Sequence, residues 1–404
     1  MNNHSYSEKD LDFLLSPSAI RKSAEEILQL TIAGKTNFVY HPEEMDTVVN
    51  YVLEVIRDKY PTLDIPFHSR WGHFRVGNVD RIKILDAKLS EKDALAIART
   101  KFDLVITSVL LDAGAGDLWS YEERNTGQKL SRSEGLAVAS FYLFMQGHLS
   151  SHRTNPLQVD SLGLRSLSEK TLRSAFQVTA ENPLIGVEGR LSLLKNLGEV
   201  LLSKKDLFPG ERPGGLVDYL LNRYGYTVTG PQVLRAVLDG LGEIWPGRVR
   251  IGTTNLGDIW SYSKISGGLA AFHKLSQWMS YSLMEPLLEA GFEVQEVEQL
   301  TGLAEYRNGG LLLDLGLITL KDTELQNRPL RPDSEVVIEW RGLTISLLDR
   351  IGAEVRKKLK KSSQDFPLAK VLEGGTWWAG RKAAGSLRKD QSPPLQIESD
   401  GTVF

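Results

Sequence analysis

The stretch DALAIARTKFDLVITSVLLDAGAGDLWSY, residues 93–121, decides what kind of fold this chain of 404 residues adopts. Over 91–111 the spacing predicts a helix that becomes apolar nearly all round toward its end, and such a helix belongs in the middle of a helical core rather than on its surface. Asp112, Gly114, Gly116 and Asp117 then close it in a tight acidic turn capped by Trp119. The turn reads either as a glycine C-cap with solvent-facing aspartates or as part of a site. Outward from this helix, similar patterns predict helices at 17–33, 43–58, 133–146, 168–180, 187–203, 213–222, 231–241, 266–290, 335–360 and 366–373. The first starts at Ser16 as N-cap and Pro17 in the first turn, and stops at Gly34. Strand signals are few. Residues 119–133 alternate weakly around Asn125-Thr126-Gly127, and LQIESDGTVF at 395–404 carries an Asp400-Gly401 turn, so small hairpins are expected. The fold class is mainly α.

Composition narrows the function. Hydrophobic residues are 41% and charged residues 25%, which excludes a disordered chain. Lys+Arg 48 against Asp+Glu 51 gives a net charge of -3, and duplex-binding domains usually carry a basic excess, so nucleic acid is a disfavoured partner. The absence of cysteine rules out disulfides, thiolate catalysis and thiolate metal sites. Neither a signal peptide nor a run approaching about 18 apolar residues is visible, so a cytoplasmic protein without a membrane partner is expected. No repeat or low-complexity linker divides the chain. It reads as a single helical catalytic domain, 1–404, whose softest boundary, if it has two lobes, is the breaker-rich stretch 205–230.

Four segments carry more polar and glycine residues than packing needs. IPFHSRWGHF (65–74) sets His68 and His73 around Arg70 and Trp71. Metal ligation there would need more ligands than seven histidines and no cysteine readily supply, so neither metal nor other cofactor is expected. NLGDIWSY (255–262) places Asp258 two residues before Trp260, and an aromatic beside a carboxylate suits a polar ring. AFHKLSQWMSYSLMEP (271–286) puts His273 and Lys274 on a largely apolar segment, where a lysine either snorkels or is held for chemistry. LTGLAEYRNGGLLLDLG (300–316) brackets Glu305, Tyr306, Arg307 and Asn308 with glycines ahead of an apolar helix. That is either a loop over a pocket or an exposed turn with a Glu–Arg ion pair.

At these segments, and at SRSEGLAVASF, ENPLIGVEGR, IWPGR, FPLAKVLEGGTWWAGRKAA and SDGTVF, the chain resembles the uracil-catabolism proteins of fungi and bacteria (the Urc/Urg type), long classed as a domain of unknown function. The resemblance covers nearly everything after about residue 15. It implies a pathway in which uracil is made into its ribonucleotide and the ring is opened, leaving a ribosylurea-type intermediate that must release urea. More remotely, the chain is similar to the queuosine salvage N-glycosidases, helical enzymes resembling the helix-hairpin-helix DNA glycosylases. Their aspartate followed by an S-F-W-like stretch is similar to Asp112 through Trp119. Their G-K-x-Y-S-G block is similar to Gly127 through Gly135, which takes in Ser133 and Glu134. F-Y-K-R-A-Q resembles Phe272 through Gln277, and F-A-D-Y-R-L-P-Q resembles Leu303 through Asn308. The lysine and aspartate of that family fall on Lys274 and Glu305, with Glu one methylene longer and Asn308-Gly309-Gly310 replacing L-P-Q.

These resemblances imply a helical DNA-glycosylase-like fold and a metal-independent N-ribohydrolase for a ribosylurea-type nucleoside or its 5′-monophosphate, with Glu305 and Lys274 catalytic. Glu305 would stabilise an oxocarbenium-like state or activate water, and Lys274 would orient it or grip a phosphate. Asp112, Trp119, Ser133, Glu134, Asp258, Trp260, His273, Arg307, His68 and Arg70 would line the substrate, with Asp258 or Asp112 protonating the urea leaving group. The rival expectations are a nucleic-acid base glycosylase, a non-catalytic partner of the ring-opening enzyme, and a metal-dependent amidohydrolase using His68 and His73.

Overall fold

The computed structural model describes residues 7–245 and 248–398. They are mainly helical and divide into two compact units, one holding 7–68, 248–277 and 296–398, the other 69–245 and 278–295.

In the first unit the centre is the 25-residue helix Glu335–Leu359, buried along most of its length from Val336 to Val355. Against it lie Pro17–Ile32, Met45–Lys59 and Tyr306–Asp314. Ser16 accepts the Ala19 N–H and Pro17 occupies the first turn, so the local start signal works as expected. The segment Leu368–Val371 continues through a π-helical turn, Leu372–Thr376, into the helix Trp377–Leu387. Short antiparallel pairs tie the connections together: Phe38–Tyr40 with Ile318–Leu320, and Ile259–Ser261 with Leu269–Ala271.

The second unit is built on Ala94–Leu110, whose residues Thr100 to Leu110 are all buried, as an all-round apolar helix requires. Arg132–Met145, Val187–Ser203 and Gly215–Tyr224 pack on it. The hairpin read around Asn125-Thr126-Gly127 forms, pairing Ser120–Glu123 with Gln128–Ser131, and Gly127 takes the φ of +68° that its turn needs. The stretch 205–230 lies inside this unit, where it supplies the helix Gly215–Tyr224 and the strand Thr227–Thr229, which pairs in parallel with Glu293–Gln295.

Two expectations need correction. The helix expected over 266–290 spans only Lys274–Glu289: Gly267 and Gly268 both adopt positive φ, and Leu269–Ala271 is a strand. The helix expected over 168–180 stops at Ala175, after which Gln177 turns left-handed. The Asp400-Gly401 turn lies outside the described residues. The part of its segment that is described meets Leu330 in a parallel bridge through Ile397.

The helices Tyr306–Asp314 and Trp377–Leu387 touch so closely that a Cβ at Gly380 would lie 2.1 Å from the Arg307 carbonyl oxygen. At Gly385, on the same helix, an added Cβ meets nothing nearer than 3.6 Å. Gly380→Ala is therefore expected to destabilise by about 1–3 kcal/mol through overpacking. Gly385→Ala is expected to stabilise by about 0.5–1 kcal/mol through helix propensity alone. Denaturant midpoints of the two variants check both signs.

Candidate functional site

Asp258 organises the polar centre of the first unit. Its Oδ1 accepts from the Trp260 indole at 2.7 Å and from Arg341 Nη1 at 2.8 Å, while Oδ2 accepts from Arg341 Nη2 at 2.7 Å and the Lys274 backbone N–H at 2.9 Å. Burial alone would raise this carboxyl, but Arg341, Trp260 and the Lys274 amide hold it at about 2. Such a group carries no proton at neutral pH, so Asp258 is an anchor and not the leaving-group acid that the sequence suggested. Phe272 N–H also donates to the Asp258 carbonyl, and His273 is bent into a left-handed φ of +47°. The helix then begins at Lys274. His273 is wholly buried, and its Nε2 reaches the Leu14 carbonyl at 2.9 Å. Among the described residues its Nδ1 meets no partner, and neither does the Gln277 Oε1 one turn later.

Gln277 joins this centre to Glu305. Its Nε2 donates to Thr301 Oγ at 2.8 Å, and Thr301 opens the loop that ends at Glu305. Glu305 is half-buried and is the N-cap of Tyr306–Asp314. Its Oε1 accepts the Asn308 N–H at 2.6 Å and its Oε2 the Arg307 N–H at 2.8 Å. Arg307 forms no ion pair with it and gives its guanidinium to the Gln391 carbonyl at 2.9 Å, so neither the exposed turn nor a Glu–Arg pair is present. Trp260 carries the Arg248 guanidinium 4.3 Å from its ring centroid.

The first unit also holds His68. Its Nδ1 lies 2.7 Å from Glu373 Oε2, and the Tyr60 hydroxyl donates to the other Glu373 oxygen at 3.3 Å.

In the second unit Arg70, fully buried, reaches Asp112 Oδ1 at 2.8 Å and Ser108 Oγ at 2.8 Å, while Ser133 Oγ donates to Asp112 at 2.7 Å. Burial pushes the Asp112 carboxyl up, but Arg70, His73 and Ser133 prevail and hold it below the usual range, so Asp112 too is ionised at neutral pH. Glu134 adds to the field that favours the Arg70 charge. The acidic turn is fixed from behind by Arg190, which donates to the carbonyls of Leu111 at 3.0 Å, Ala113 at 2.7 Å and Gly114 at 3.1 Å. Trp119 is 1% exposed, stacked on Phe176 with its N–H on the Phe176 carbonyl, so it is packed as core. His73 sits edge-on to Trp278. Among the described residues no three His, Asp or Glu side chains gather as a metal would require, and no helix is long and apolar enough to cross a membrane.

The polar clusters of the structure include Asp258, Lys274, Glu305, Arg70 and Asp112, which the sequence singled out, and Arg341, Glu373 and Arg190, which it did not. The signal for Arg341 was a charged pair, Glu339 and Arg341, inside the otherwise uncharged, buried stretch from Val336 to Leu348.

Because Asp258 is depressed from about 3.9 in an unfolded chain to about 2, its stabilising contribution is complete above about pH 4 and is lost as pH falls toward 2. Asp258→Asn leaves Arg341, 2% exposed, without its counter-charge. We expect a loss of about 3–5 kcal/mol at neutral pH and a shallower decline of stability between pH 4 and 2 than in the parent, read from urea unfolding at each pH.

The comparisons agree with the resemblance read from the sequence. Residues 13–404 match the family described as "Protein of unknown function (DUF1688)". "Uracil catabolism protein 4" of Lachancea kluyveri is 38% identical over 439 residues, covering 98% of this chain and 99% of that protein. "Protein urg3" of Schizosaccharomyces pombe is 40% identical over 406 residues, covering 97% and 98%. With a match over almost its whole length and two such relatives, the chain belongs to this DUF1688 family.

Proposed function

We propose that the protein is a metal-independent N-ribohydrolase of uracil catabolism, with a helix-hairpin-helix glycosylase-like architecture, that releases urea from a ribosylurea-type nucleoside or its 5′-monophosphate. The pathway is supported by the name of the Lachancea kluyveri relative. The reaction is supported by one arrangement above all: a half-buried carboxylate, Glu305, is held by two backbone N–H groups on a loop bonded to the first turn of the Lys274 helix. Cleavage of an N-glycosidic bond builds positive charge at C1′, and a carboxylate fixed before the reaction stabilises it without reorganisation. The two N–H bonds leave each oxygen a further lone pair for the ribosyl centre or for the attacking water. Lys274, on the turn that Asp258 holds in place, supplies a point charge for the carboxylate or for a 5′-phosphate.

Incubation with synthetic ribosylurea and with its 5′-phosphate, followed by assay of urea and ribose species, tests the reading. Tight binding without release would instead indicate a protein that holds the intermediate for another enzyme. Because Glu305 is also a helix cap, two variants separate charge from folding. Glu305→Ser keeps a good cap and Glu305→Gln keeps the volume. Both are expected to unfold within about 1 kcal/mol of the parent, yet to lose about two to three orders of magnitude in kcat. Near-normal turnover in either removes Glu305 from the chemistry.

Lys274→Met distinguishes the roles of the lysine. A phosphate contact predicts a raised KM for the phosphorylated substrate alone, whereas a transition-state contact lowers kcat on both substrates.

A further inference from the structure

The N-ribohydrolase reading leaves one requirement unmet. Urea departs poorly from C1′ unless it receives a proton as the bond breaks, and Asp258 and Asp112 are both ionised, each held by an arginine. Resting on that reading, we propose that His68 is the general acid that protonates the leaving group and that Glu373 is the residue that positions its imidazole.

The pair has the geometry of a histidine prepared for proton transfer. A carboxylate can only accept, so at 2.7 Å from Glu373 Oε2 the Nδ1 atom carries a proton, and Nε2 is the ring nitrogen through which a second proton passes. His68 is 4% exposed, which shields it from bulk water, and its ring leans on Trp377 with centroids 5.8 Å apart. Its backbone N–H donates to the Ala369 carbonyl at 3.1 Å, so the chain at 68 is fixed to the same helical segment that carries Glu373. The second Glu373 oxygen is occupied by the Tyr60 hydroxyl, whose own ionisation is pushed well above the usual phenol range by burial and by Glu373. Tyr60 therefore stays a donor. Arg381 also lies beside this cluster, 5.5 Å from the Trp377 ring centroid.

The backbone that presents Glu373 is unusual. Leu372–Thr376 is a π-helical turn, a conformation frequent at functional sites. Two glycines permit it to press on its neighbours: a Cβ at Gly374 would lie 2.5 Å from Ile65 Cδ1, and one at Gly375 2.6 Å from Val52 Cγ1. The same turn reaches Glu305 through two bonds. Thr376 Oγ donates to Asn308 Oδ1 at 2.8 Å, and the Asn308 N–H donates to Glu305. Acid and carboxylate thus belong to one bonded framework.

In the proposed step the C1′–N bond breaks with its electron pair going to the ureido nitrogen, and the Nε2 proton of the His68 imidazolium passes to the departing group, which leaves as neutral urea. Water adds to C1′ and gives up one proton to Glu305 or to solvent. Imidazole regains a proton from solvent, so the net reaction is ribosylurea plus water giving ribose and urea.

A substrate whose leaving group needs no proton isolates this role. His68→Gln, Glu373→Gln and Glu305→Gln are assayed on ribosylurea and on 4-nitrophenyl β-D-ribofuranoside, with near-UV circular dichroism reporting the fold. His68→Gln is expected to lose about 10²–10⁴-fold on ribosylurea and to lose less than about tenfold on the nitrophenyl riboside. Glu373→Gln is expected to show the same discrimination between the two substrates more weakly, and it carries the test should His68→Gln fail to fold. Glu305→Gln should suffer on both substrates. Equal losses on the two substrates, or no loss, in folded His68→Gln and Glu373→Gln overturn the assignment while leaving the hydrolase reading intact. A wild-type protein that releases neither urea nor nitrophenolate overturns both.

Discussion

A carboxylate largely withdrawn from water needs its lone pairs filled, and in the first unit Asp258, whose side chain is 19% exposed, shows how that is done. Four donors fill it, and they come from three parts of the chain: the core helix through Arg341, the strand after it through Trp260, and the backbone of Lys274. Each bond fixes a different degree of freedom. The fork of Arg341 orients the carboxylate against the core, the indole ties it to the strand Ile259–Ser261, and the amide at 274 joins it to the start of the following helix. His273 accepts a left-handed backbone because that start is fixed, and such strain persists only where the surroundings over-determine it.

The second unit answers the same constraint with different residues. Arg70 lies wholly inside the protein, where its charge is costly, and Asp112, Ser108 and Ser133 compensate it. The turn that carries Asp112 has few side chains of its own to pack, since it is built of alanine and glycine. Arg190 substitutes for them by gathering its carbonyls, at the cost of a guanidinium pushed down to about 10 by burial. In both units an arginine from a helix holds a loop: Arg341 through the Asp258 carboxylate and Arg190 through backbone carbonyls.

Periodicity made most helices legible, because an apolar stripe at about 3.6 residues per turn is a property of the local sequence. It failed at 266–290 for a local reason as well: the apolar run LAAF after Gly267-Gly268 fits either period, and pairing with Ile259–Ser261 made it a strand. The π turn was invisible, since nothing in LEGGTWW distinguishes it from an ordinary helical turn. In the structure its glycines pack against Ile65 and Val52, which lie far from it in sequence. Polar residues stood out where they clustered in sequence, as at 305–308, and did not where charges were spread through buried helical stretches, as at Arg341 beside Glu339 and at Glu373 in the π turn. Trp119 misled for the opposite reason: beside acidic residues it looked like a ligand wall, and its indole instead serves the core.

Glu305 shows how the fold shapes the chemistry proposed for it. The resemblance proposed from the sequence set an aspartate and L-P-Q against this segment, whereas the chain has glutamate and then Asn308-Gly309-Gly310. Gly309 has a packing reason: a Cβ there would meet Trp340 Cε2 at 2.7 Å and Thr344 Oγ at 2.7 Å, and its carbonyl takes the Trp340 indole N–H at 3.0 Å. The first turn of this helix is thus seated directly on the core helix, and its backbone cannot shift to meet a ligand. Adjustment is left to the side chain of the residue before it. A glutamate, longer by one methylene, reaches back over the free N–H groups at 307 and 308 and is held at both oxygens. The positive end of the helix favours the carboxylate but opposes a ribosyl cation beside it, so the net stabilisation of such a cation depends on Glu305 standing between the two.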